Sequence, residues 1–411
     1  MRRTEHLFEF LRKFREHYPE RKFYQLIDKI YDINNLGTAW EKVKSNRGCA
    51  GVDSQSVHDF QLQENRYISE IQRMLKNGVY KTMPVLRRFI PKTDGKLRPL
   101  GIPTVKDRVV QQATKNVMEP IFEMKFLGCS YGYRPNKSTH QAVREIRKYM
   151  QQGYTWVIDA DVERFFDSVN HKLLMSLVAE EISDGKVLGL IESWLEAGVM
   201  NEGKTEETVV GTPQGGVVSP LLANIYLHEM DKQVNAIAGV RLVRYADDFV
   251  ILCKTKDAAE RMLRQVRDFL TGLKLRLNET KTKIVNVKKD GFEFLGFRLK
   301  MRNRRLLITP RQKSIGKFKE SIRALTWRKQ PIATEDMVDR LNLTIRGWGN
   351  YYRTGDVTIL FKEMDKWIRA KVRTFMEKKK SRYASVRIPN HVLESEYKLT
   401  SLSTLITPHS L

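Results

Sequence analysis

Cysteine is scarce in this sequence of 411 residues. The three that occur, Cys49, Cys129 and Cys253, lie far apart, and none belongs to a Cys-x-x-Cys pair. This scarcity argues against a zinc site built from cysteines and against a disulfide framework. Long apolar runs are also lacking, since none approaches the ~20 residues that a membrane-spanning helix requires. The scarcity of cysteine also leads us to expect a reduced, cytoplasmic protein. The N-terminal segment mixes charges of both signs, so we expect no signal or transit peptide.

Acidic residues are outnumbered by basic ones. The sequence has 48 Asp and Glu against 73 Lys and Arg, a formal net charge of +25, and its apolar fraction of 41% suits a globular protein. Such an excess is costly in self-repulsion unless a polyanion neutralises it, which makes nucleic acid the first candidate partner and an anionic membrane the second. Residues 298–387 hold 25 of the basic residues against 8 acidic ones, with aromatic residues interleaved. We interpret this stretch as a separate, basic helical domain.

The first part of the chain predicts helices around one hairpin. Apolar residues three and four apart are typical of amphipathic helices, and Gly78 is placed to end one of them. The runs 85–92 and 97–103 flank an Asp-Gly turn, which predicts a β-hairpin. Ser138 and Gln141 form a capping-box pattern ahead of a further helix. The helices predicted from this part of the sequence span 4–17, 20–33, 36–46, 55–77 and 105–122.

The middle of the chain predicts strands and a second hairpin. Residues 156–170 predict a buried strand that runs into a helix. Residues 211–220 form a Gly- and Pro-rich loop ahead of another helix. Residues 241–253 contain two apolar runs around a short acidic turn, which predicts a hairpin, and 293–299 predict one more short strand.

Four aspartates indicate metal chemistry. Asp159 and Asp161 alternate along a predicted strand and therefore point to one face of its sheet. Asp247 and Asp248 are adjacent at the tip of the second hairpin, where a cation would offset their repulsion. A site of carboxylate oxygens favours Mg²⁺ or Mn²⁺, and two such ions about 3.5–4 Å apart suit phosphoryl transfer. The alternative for an adjacent Asp pair is a solvated turn.

Three motifs follow one another along the chain: DxDxxxFFD at 159–167, TPQGGxxSPLLAN at 212–224 and YADD at 245–248. Together they resemble a reverse transcriptase, and the variant of each motif is similar to the group II intron-encoded reverse transcriptase/maturase family. The resemblance covers roughly residues 35–385. It implies an α+β right-hand polymerase fold, with fingers, a palm built on an antiparallel sheet, and a helical thumb or maturase domain.

The resemblance also implies a division of the chain. The segment 345–353 resembles the aromatic signature of the thumb, although helix packing is our preferred interpretation of Trp348 and Tyr352. The Gly-marked loop 48–53 resembles an N-terminal extension motif, but Ser54 follows Asp53 where the family usually has glycine, so we place no binding residue there. The implied segments are an N-terminal helical extension at 1–60, fingers at 61–155, a palm with the catalytic acids at 156–300, a basic thumb at 301–385 and a short tail at 386–411.

Carried over residue by residue, the resemblance implies a catalytic and metal-binding set of Asp161, Asp247 and Asp248. Asp159 would be a neighbour of this set. Phe165 would be a steric gate that excludes the 2′-hydroxyl of a ribonucleotide, whereas helix core is the favoured interpretation of Phe166. The resemblance implies two Mg²⁺ ions, for which Mn²⁺ could substitute.

Six further residues would contact the nucleotide and the primer. The resemblance places Lys92 and Arg98 of the first hairpin on the incoming triphosphate, and two cations on one hairpin can indeed reach one polyanion. A solvated basic hairpin is the alternative. Gln214 would lie along the nascent base pair, and Lys281 near the triphosphate, unless it is a plain surface charge. The residues 294–297 resemble the primer grip, with Leu295 and Gly296 at its centre, and strand core is the alternative.

The implied function is an RNA-directed DNA polymerase that is also a maturase. Its partners would be an RNA template, a DNA or RNA primer, dNTPs and group II intron RNA, without a membrane, at the nucleoid of a bacterium. One alternative is a stand-alone reverse transcriptase domesticated for defence or repair, and another is a splicing cofactor whose polymerase site is idle. We also expect no endonuclease domain after about residue 385. The sequence gives no signal for an oligomeric state.

Overall fold

A computed structural model divides the chain into two compact units. Unit 1 combines residues 1–149 with 158–284, and unit 2 combines 150–157 with 285–411. Helices and strands both contribute, so the α+β class is confirmed. The structure describes residues 9, 11, 13–18, 20–91, 95, 97–201, 204–206, 211, 215–303, 305–377 and 388–406. Within these described ranges, no helix is long and apolar enough to cross a membrane.

Helices dominate both ends of the chain, and strands cluster in its middle. The helices are α1 (Ile27–Ile30), α2 (Ile33–Ser45), α3 (Val57–Leu62), α4 (Glu64–Lys76), α5 (Val105–Glu123), α6 (Thr139–Gln151), α7 (Phe165–Ser168), α8 (His171–Glu181), α9 (Gly185–Glu196), α10 (Ser219–Asn235), α11 (Lys256–Gly272), α12 (Gln312–Leu325), α13 (Thr334–Tyr352), α14 (Thr358–Met376) and α15 (Asn390–Ser395). The strands are β1 (Val85–Pro91), β2 (Leu97–Ile102), β3 (Trp156–Asp161), β4 (Val199–Asn201), β5 (Lys204–Glu206), β6 (Val240–Tyr245), β7 (Asp248–Cys253), β8 (Lys283–Asn286), β9 (Phe292–Phe294), β10 (Phe297–Arg302) and β11 (Arg305–Pro310).

The N-terminal helices are shorter than the sequence predicts. The prediction of a helix over 20–33 is wrong, because Gln25 has a φ of 52° and Asp32 caps the next helix, so that only the four residues of α1 are helical between them. The prediction over 55–77 is corrected to two helices, since α3 and α4 meet at Gln63, whose φ of −133° and ψ of 35° leave the helical region. The predicted helix over 4–17 falls in part outside the described residues.

The end of α4 is confirmed at Gly78. This residue has a φ of 70°, and the backbone N–H of Val79 donates to the carbonyl of Met74 at 3.0 Å. The left-handed conformation is cheap for glycine, and it satisfies carbonyls that the helix would otherwise leave unpaired.

The first predicted hairpin is confirmed as β1 and β2. These strands pair antiparallel from Leu86 opposite Ile102 to Pro91 opposite Leu97. They belong to a sheet of order β2-β1-β4-β5, in which β1 and β4 run parallel. The confirmed helix α5 follows the hairpin, with Thr104 accepting a hydrogen bond from the backbone N–H of Asp107 at 3.1 Å as its N-cap.

A second sheet carries the motif acids. Its strand order is β6-β7-β3-β8, and the predicted acidic hairpin is confirmed as β6 and β7. These two strands pair antiparallel from Val240 opposite Cys253 to Tyr245 opposite Asp248. The register leaves a turn of two residues, Ala246 and Asp247, between the strands. Strand β3 ends at Asp161 and is followed by the short helix α7, in agreement with the predicted strand-to-helix segment.

Unit 2 contains a sheet of order β11-β10-β9 followed by helices. The prediction of one strand over 293–299 is wrong, because Leu295 and Gly296 have φ values of 49° and 82° and form the turn between β9 and β10. Strands continue as far as Pro310, so the helical part of the predicted basic domain begins only at Gln312.

Aromatic rings join the helices of unit 2. Trp348 stacks on Phe318 with ring centroids 4.3 Å apart and planes 14° apart, and its centroid lies 4.8 Å from that of Tyr352. Offset ring pairs of this kind add to the energy of burial. The packing interpretation of Trp348 and Tyr352 is thereby confirmed.

A buried carboxylate ties the end of the described chain to α14. Asp365 is 4% exposed and accepts hydrogen bonds from the backbone N–H groups of Leu402 and Ser403 at 2.7 and 3.0 Å. The hydroxyls of Ser401 and Ser403 donate to the same carboxylate, each at 2.6 Å. These bonds fix the 3₁₀ turn Leu402–Leu405 against the helix.

Candidate active site

The strand acids of β3 are each paired with a lysine. Asp159 and Asp161 are half-buried and alternate with the buried Ala160, so they share one face of the strand as predicted. The ammonium of Lys281 lies 2.7 Å from Oδ2 of Asp161, and that of Lys283 lies 3.5 Å from Oδ2 of Asp159. The hydrogen bond to Asp161 raises the pKa of Lys281.

Backbone pairing brings Lys281 to Asp161. The N–H of Asn278 donates to the carbonyl of Asp161 at 2.8 Å, and the N–H of Glu163 donates to the carbonyl of Arg276 at 2.9 Å. The side chain of Asn278 also donates to Oδ2 of Asp161, at 3.2 Å. The end of β3 and the segment before β8 are therefore held together, and this contact fixes which oxygen of Asp161 is engaged.

The acidic turn, residues 245–248, concentrates negative charge. Burial raises the pKa of Asp247, and the charge of Asp161 raises it further, whereas Arg98 and Lys281 lower it. Asp248 keeps an exposed surface, yet partial loss of water around its carboxyl, together with the charges of Asp247, Asp161 and Asp159, raises its pKa to about 6. These mutual effects show that Asp161, Asp247 and Asp248 share one electrostatic environment.

A buried arginine lies beneath the acidic turn. Arg244 is 0% exposed, and its Nε–H donates to Oδ1 of Asp231, also 0% exposed, at 2.7 Å. Its Nη1 donates to Oδ1 of Asn224 at 2.9 Å and to the carbonyl of Ala246 at 3.0 Å. Ala246 has a φ of 59°, a conformation that L-residues adopt at a cost, so the bond from Arg244 supports a strained turn.

The segment 129–133 packs closely against the same turn. A Cβ added to Gly132 would lie 2.3 Å from the backbone nitrogen of Ala246, so only glycine fits there. The side chain of Asn224 donates to the carbonyl of Gly132 at 2.8 Å. Next to it, Tyr133 is 51% exposed, and its ring centroid lies 6.4 Å from that of Tyr245.

Sequence reasoning missed this support. The signal for Arg244 was present, since it is a charged residue inside the apolar run of β6, and a buried cation needs a carboxylate partner. Asn224 stands inside a recognised motif without a role being assigned to it. Nothing local marks Asp231 or Gly132 as their partners, because these contacts join distant segments.

The residues expected on the nucleotide are only partly described. Arg98 is exposed on β2, and its charge reaches Asp247, while Lys281 lies at Asp161. Lys92 and Gln214 lie outside the described residues. Beside Gln214, Gly215 has a φ of 127° and approaches β2 so closely that an added Cβ would lie 2.5 Å from the carbonyl oxygen of Gly101.

Phe165 lies in the core of unit 1. It is 2% exposed, and its ring meets those of Phe166 and Tyr226 edge to face, with centroids 5.2 and 6.4 Å away. Phe166 is the more exposed of the two phenylalanines. The core interpretation therefore describes the surroundings of Phe165 better than those of Phe166.

The expected primer-grip residues, Leu295 and Gly296, form a turn in unit 2. The hydroxyl of Tyr351 donates to the carbonyl of Leu295 at 2.8 Å, and the hydroxyl of Tyr352 donates to the carbonyl of Gly296 at 3.3 Å. The ring of Tyr351 stacks on Phe297 with centroids 5.4 Å apart. The structure thus gives this turn a defined shape within its own unit.

The carboxylates suit a hard divalent cation by their chemistry. Across the described ranges, no three His, Cys, Asp or Glu side chains are grouped closely enough to hold a metal ion. Asp161, Asp247 and Asp248 nevertheless supply only oxygen ligands, and the raised pKa values of Asp247 and Asp248 reflect negative charge that a cation would relieve. The donor set therefore fits Mg²⁺ or Mn²⁺, with Lys281 at present on one of its oxygens.

Two family models match the chain. Residues 90–299 match the model described as reverse transcriptase (RNA-dependent DNA polymerase), and residues 315–391 match the group II intron, maturase-specific domain. The first match spans about half of the chain and includes all of the motif acids.

Curated relatives agree with these matches. Protein YkfC of Escherichia coli is 37% identical over 75% of this chain and 93% of its own length. The group II intron-encoded protein LtrA of Lactococcus lactis is 31% identical over 64% of this chain and 54% of its own length. An uncharacterized 91 kDa protein in the cob intron of Schizosaccharomyces pombe is 28% identical over 83% of this chain and 52% of its own length. The chain thus spans nearly all of YkfC and about half of the other two.

Proposed function

We propose that this chain, which belongs to the group II intron-encoded reverse transcriptases and is by family an RNA-directed DNA polymerase, copies an RNA template into cDNA. It does so by adding dNTPs to the 3′ end of a DNA or RNA primer. The observation that carries this proposal is the ion pair of Lys281 with Asp161 at 2.7 Å, at a strand end whose charge, like that of Arg98, acts on the acidic turn. Carboxylates for metal ions beside cations for a triphosphate are what nucleotidyl transfer requires.

The family implies a divalent metal, and Asp161, Asp247 and Asp248 would hold it as two Mg²⁺ or Mn²⁺ ions. When bound, such ions lower the pKa of the attacking 3′-hydroxyl and stabilise the pyrophosphate that leaves. Oδ2 of Asp161 accepts hydrogen bonds from Lys281 at 2.7 Å and from the amide of Asn278 at 3.2 Å, so release of these donors would open this oxygen to a metal ion.

The remaining residues bind and orient the substrates. Lys281 is 65% exposed and hence free to move from Asp161 to the triphosphate, where Arg98 and Lys92 would meet the same charge. Gln214 would lie along the nascent base pair, and Phe165 would limit space at the sugar from beneath. Leu295 and Gly296 would contact the primer backbone.

The family matches also support a division by role. We propose that residues 61–155 act as fingers, 156–300 as palm and 301–385 as thumb, after an N-terminal extension at 1–60 and before a tail at 386–411. The maturase-specific match at 315–391 supports a second function, binding of group II intron RNA to promote its splicing and mobility. Accelerated splicing of a group II intron transcript on addition of the protein would support this second role, and an unchanged splicing rate would refute it.

Primer extension tests the polymerase proposal. Wild-type protein with an RNA template, dNTPs and Mg²⁺ should give full-length cDNA, which EDTA should abolish. Asp247→Asn should lower the rate by at least about 10²–10³-fold, because a charge that holds the metal is lost. Asp268→Asn is the matched control, since Asp268 is exposed on α11, and it should retain the wild-type rate. No cDNA from the wild type, or full activity in Asp247→Asn, would contradict the proposal.

The same assay tests the gate. Phe165→Ala should raise the use of rNTPs relative to dNTPs, whereas Phe166→Ala should not. The ratio of the two rates does not depend on the folded fraction, so a loss of stability in the buried Phe165 variant does not obscure the result. Equal ratios in wild type and Phe165→Ala would remove the gate role.

A further inference from the structure

Strand β10 of unit 2 has two chemically different faces. Phe297 and Leu299 are buried, each 0% exposed, whereas Arg298, Lys300 and Arg302 are exposed. Because side chains alternate along a strand, the three cations project from the same face of the sheet. We name these three residues the basic ridge.

The neighbouring strands leave the basic ridge uncompensated. None of its three cations has a carboxylate oxygen within 4.0 Å in the part of the chain that the structure describes, whereas Arg305 on the next strand pairs with Asp356 at 2.7 Å. Glu293 stands opposite Arg298 in the register, but its carboxylate lies 3.8 Å from Arg311. Three adjacent unpaired cations repel one another, and an anion that spans all three would relieve that repulsion.

The face around the ridge is shaped for a chain-like anion. An open groove of about 350 Å³ is lined by the ridge together with Leu307 and Thr309 of β11. Residues two apart on a strand are separated by about 6.6–6.8 Å, a distance close to that between successive phosphates of one nucleic-acid strand. No aromatic side chain lines this groove, so nothing described there would stack on a base.

We infer that the basic ridge binds the phosphate backbone of single-stranded RNA without regard to its sequence. A single strand is favoured because the cations form one line, which can follow one backbone, whereas a duplex presents two. Phosphates neutralised by Lys and Arg release counterions, and this release makes binding dependent on salt. The inference deepens the proposed function and rests on it for the choice of RNA over another polyanion.

Equilibrium binding of a fluorescent single-stranded RNA tests the inference. Anisotropy is measured at several salt concentrations in EDTA and without dNTPs, so that no catalytic step contributes. In the variant Arg298→Gln/Lys300→Gln/Arg302→Gln, the slope of log affinity against log salt should become shallower by about 2, or about 0.7 for each cation. At 0.1 M salt this corresponds to a loss of roughly 100-fold in affinity.

A charge-matched control separates the ridge from net charge. Lys148, Lys232 and Lys256 each pair with a glutamate on their own helix, at 3.4, 2.6 and 3.1 Å. The triple Gln variant at these positions removes the same charge and should keep the wild-type slope. Arg298→Lys/Arg302→Lys retains the charges and should also bind as wild type does. The ridge variant should lose the same factor of affinity for RNAs of uniform sequence and for RNAs of mixed sequence.

Two outcomes would overturn the inference. One is a ridge variant whose salt slope equals that of the wild type, and the other is a control variant that loses as much as the ridge variant. Thermal unfolding confirms that each variant is folded, which is expected since the ridge residues are exposed. A result that refutes RNA binding by the ridge is distinct from one that refutes the polymerase proposal. cDNA synthesis by the wild type is measured in a separate assay, and RNA binding is measured without metal.

Discussion

Two hairpin turns in this chain each contain an L-residue with a positive φ but differ in what holds them. The acidic turn in unit 1 has Ala246 at a φ of 59°, and the turn in unit 2 has Leu295 at 49° and Gly296 at 82°. In each, a side chain donates to a carbonyl of the turn. The donor to Ala246 is the fully buried guanidinium of Arg244, whereas the donor to Leu295 is the neutral hydroxyl of Tyr351.

The two donors differ in whether they need a buried counter-charge. Arg244 brings a buried charge that needs Asp231, so the acidic turn depends on an ion pair that cannot be half removed. Tyr351 needs no counter-charge, and its ring stacks on Phe297 through contacts that do not involve the hydroxyl. A turn held by a buried ion pair and a turn held by a neutral hydroxyl therefore both keep an L-residue at a positive φ.

Breaking the charged support should have the largest effect. Arg244→Met removes the cation and leaves Asp231 buried without a partner, which should lower the free energy of unfolding by about 3–5 kcal/mol in urea denaturation. Arg244→Met/Asp231→Leu should recover most of this loss, because the pair is then replaced by apolar groups. It should not recover cDNA synthesis, since Ala246 still lacks its donor. Equal instability of the single and double variants would contradict this account.

Crowding the acidic turn should have an intermediate effect. Gly132→Ala places a Cβ 2.3 Å from the backbone nitrogen of Ala246, so the turn has to move. We expect a loss of about 1–3 kcal/mol in unfolding free energy and a fall of about 10²-fold in the rate of primer extension. Gly128→Ala is the control, because an added Cβ there meets nothing within 4 Å. A Gly132→Ala variant with wild-type kinetics would show that the turn tolerates displacement.

Removing the neutral support should have the smallest effect. Tyr351→Phe deletes the hydroxyl that donates to Leu295 at 2.8 Å but keeps the ring on Phe297. The free energy of unfolding should therefore fall by about 0.5–1.5 kcal/mol. If the turn contacts the primer, KM for primer-template should rise while kcat stays near its wild-type value. Tyr352→Phe, whose bond is longer at 3.3 Å, should change both quantities less. A fall in kcat alone would point away from primer binding.

Local signals predicted most of the elements that position the site. The alternation of apolar residues in 241–253 and the Asp-Gly turn after 85–92 are sufficient to specify hairpins, and both are confirmed. The helix predicted over 20–33 failed because apolar spacing cannot show the left-handed Gln25 or the cap at Asp32. The strand predicted over 293–299 failed because one glycine in an apolar run does not show that its neighbour Leu295 also turns.

The acids could be placed from motifs, but their partners could not. Lys281 stands 120 positions from Asp161 in the sequence. Other contacts in the fold also join residues that are distant in sequence, such as the hydrogen bond from Arg108 to the carbonyl of Cys49, 59 positions away. Such contacts depend on the tertiary fold and leave no periodicity in the sequence. The contribution of Arg244 was foreseeable only as an anomaly, a charge inside a buried strand that must have a counter-charge somewhere.

The buried carboxylate of Asp365 has a practical consequence for where this protein can be shortened. The maturase-specific match stops at residue 391, yet the groups that satisfy Asp365 come from residues 401–403. A chain cut at the edge of the match would leave an uncompensated anion inside unit 2. The boundary of a family and the boundary of a folding unit therefore differ here by at least twelve residues, the distance from 391 to 403.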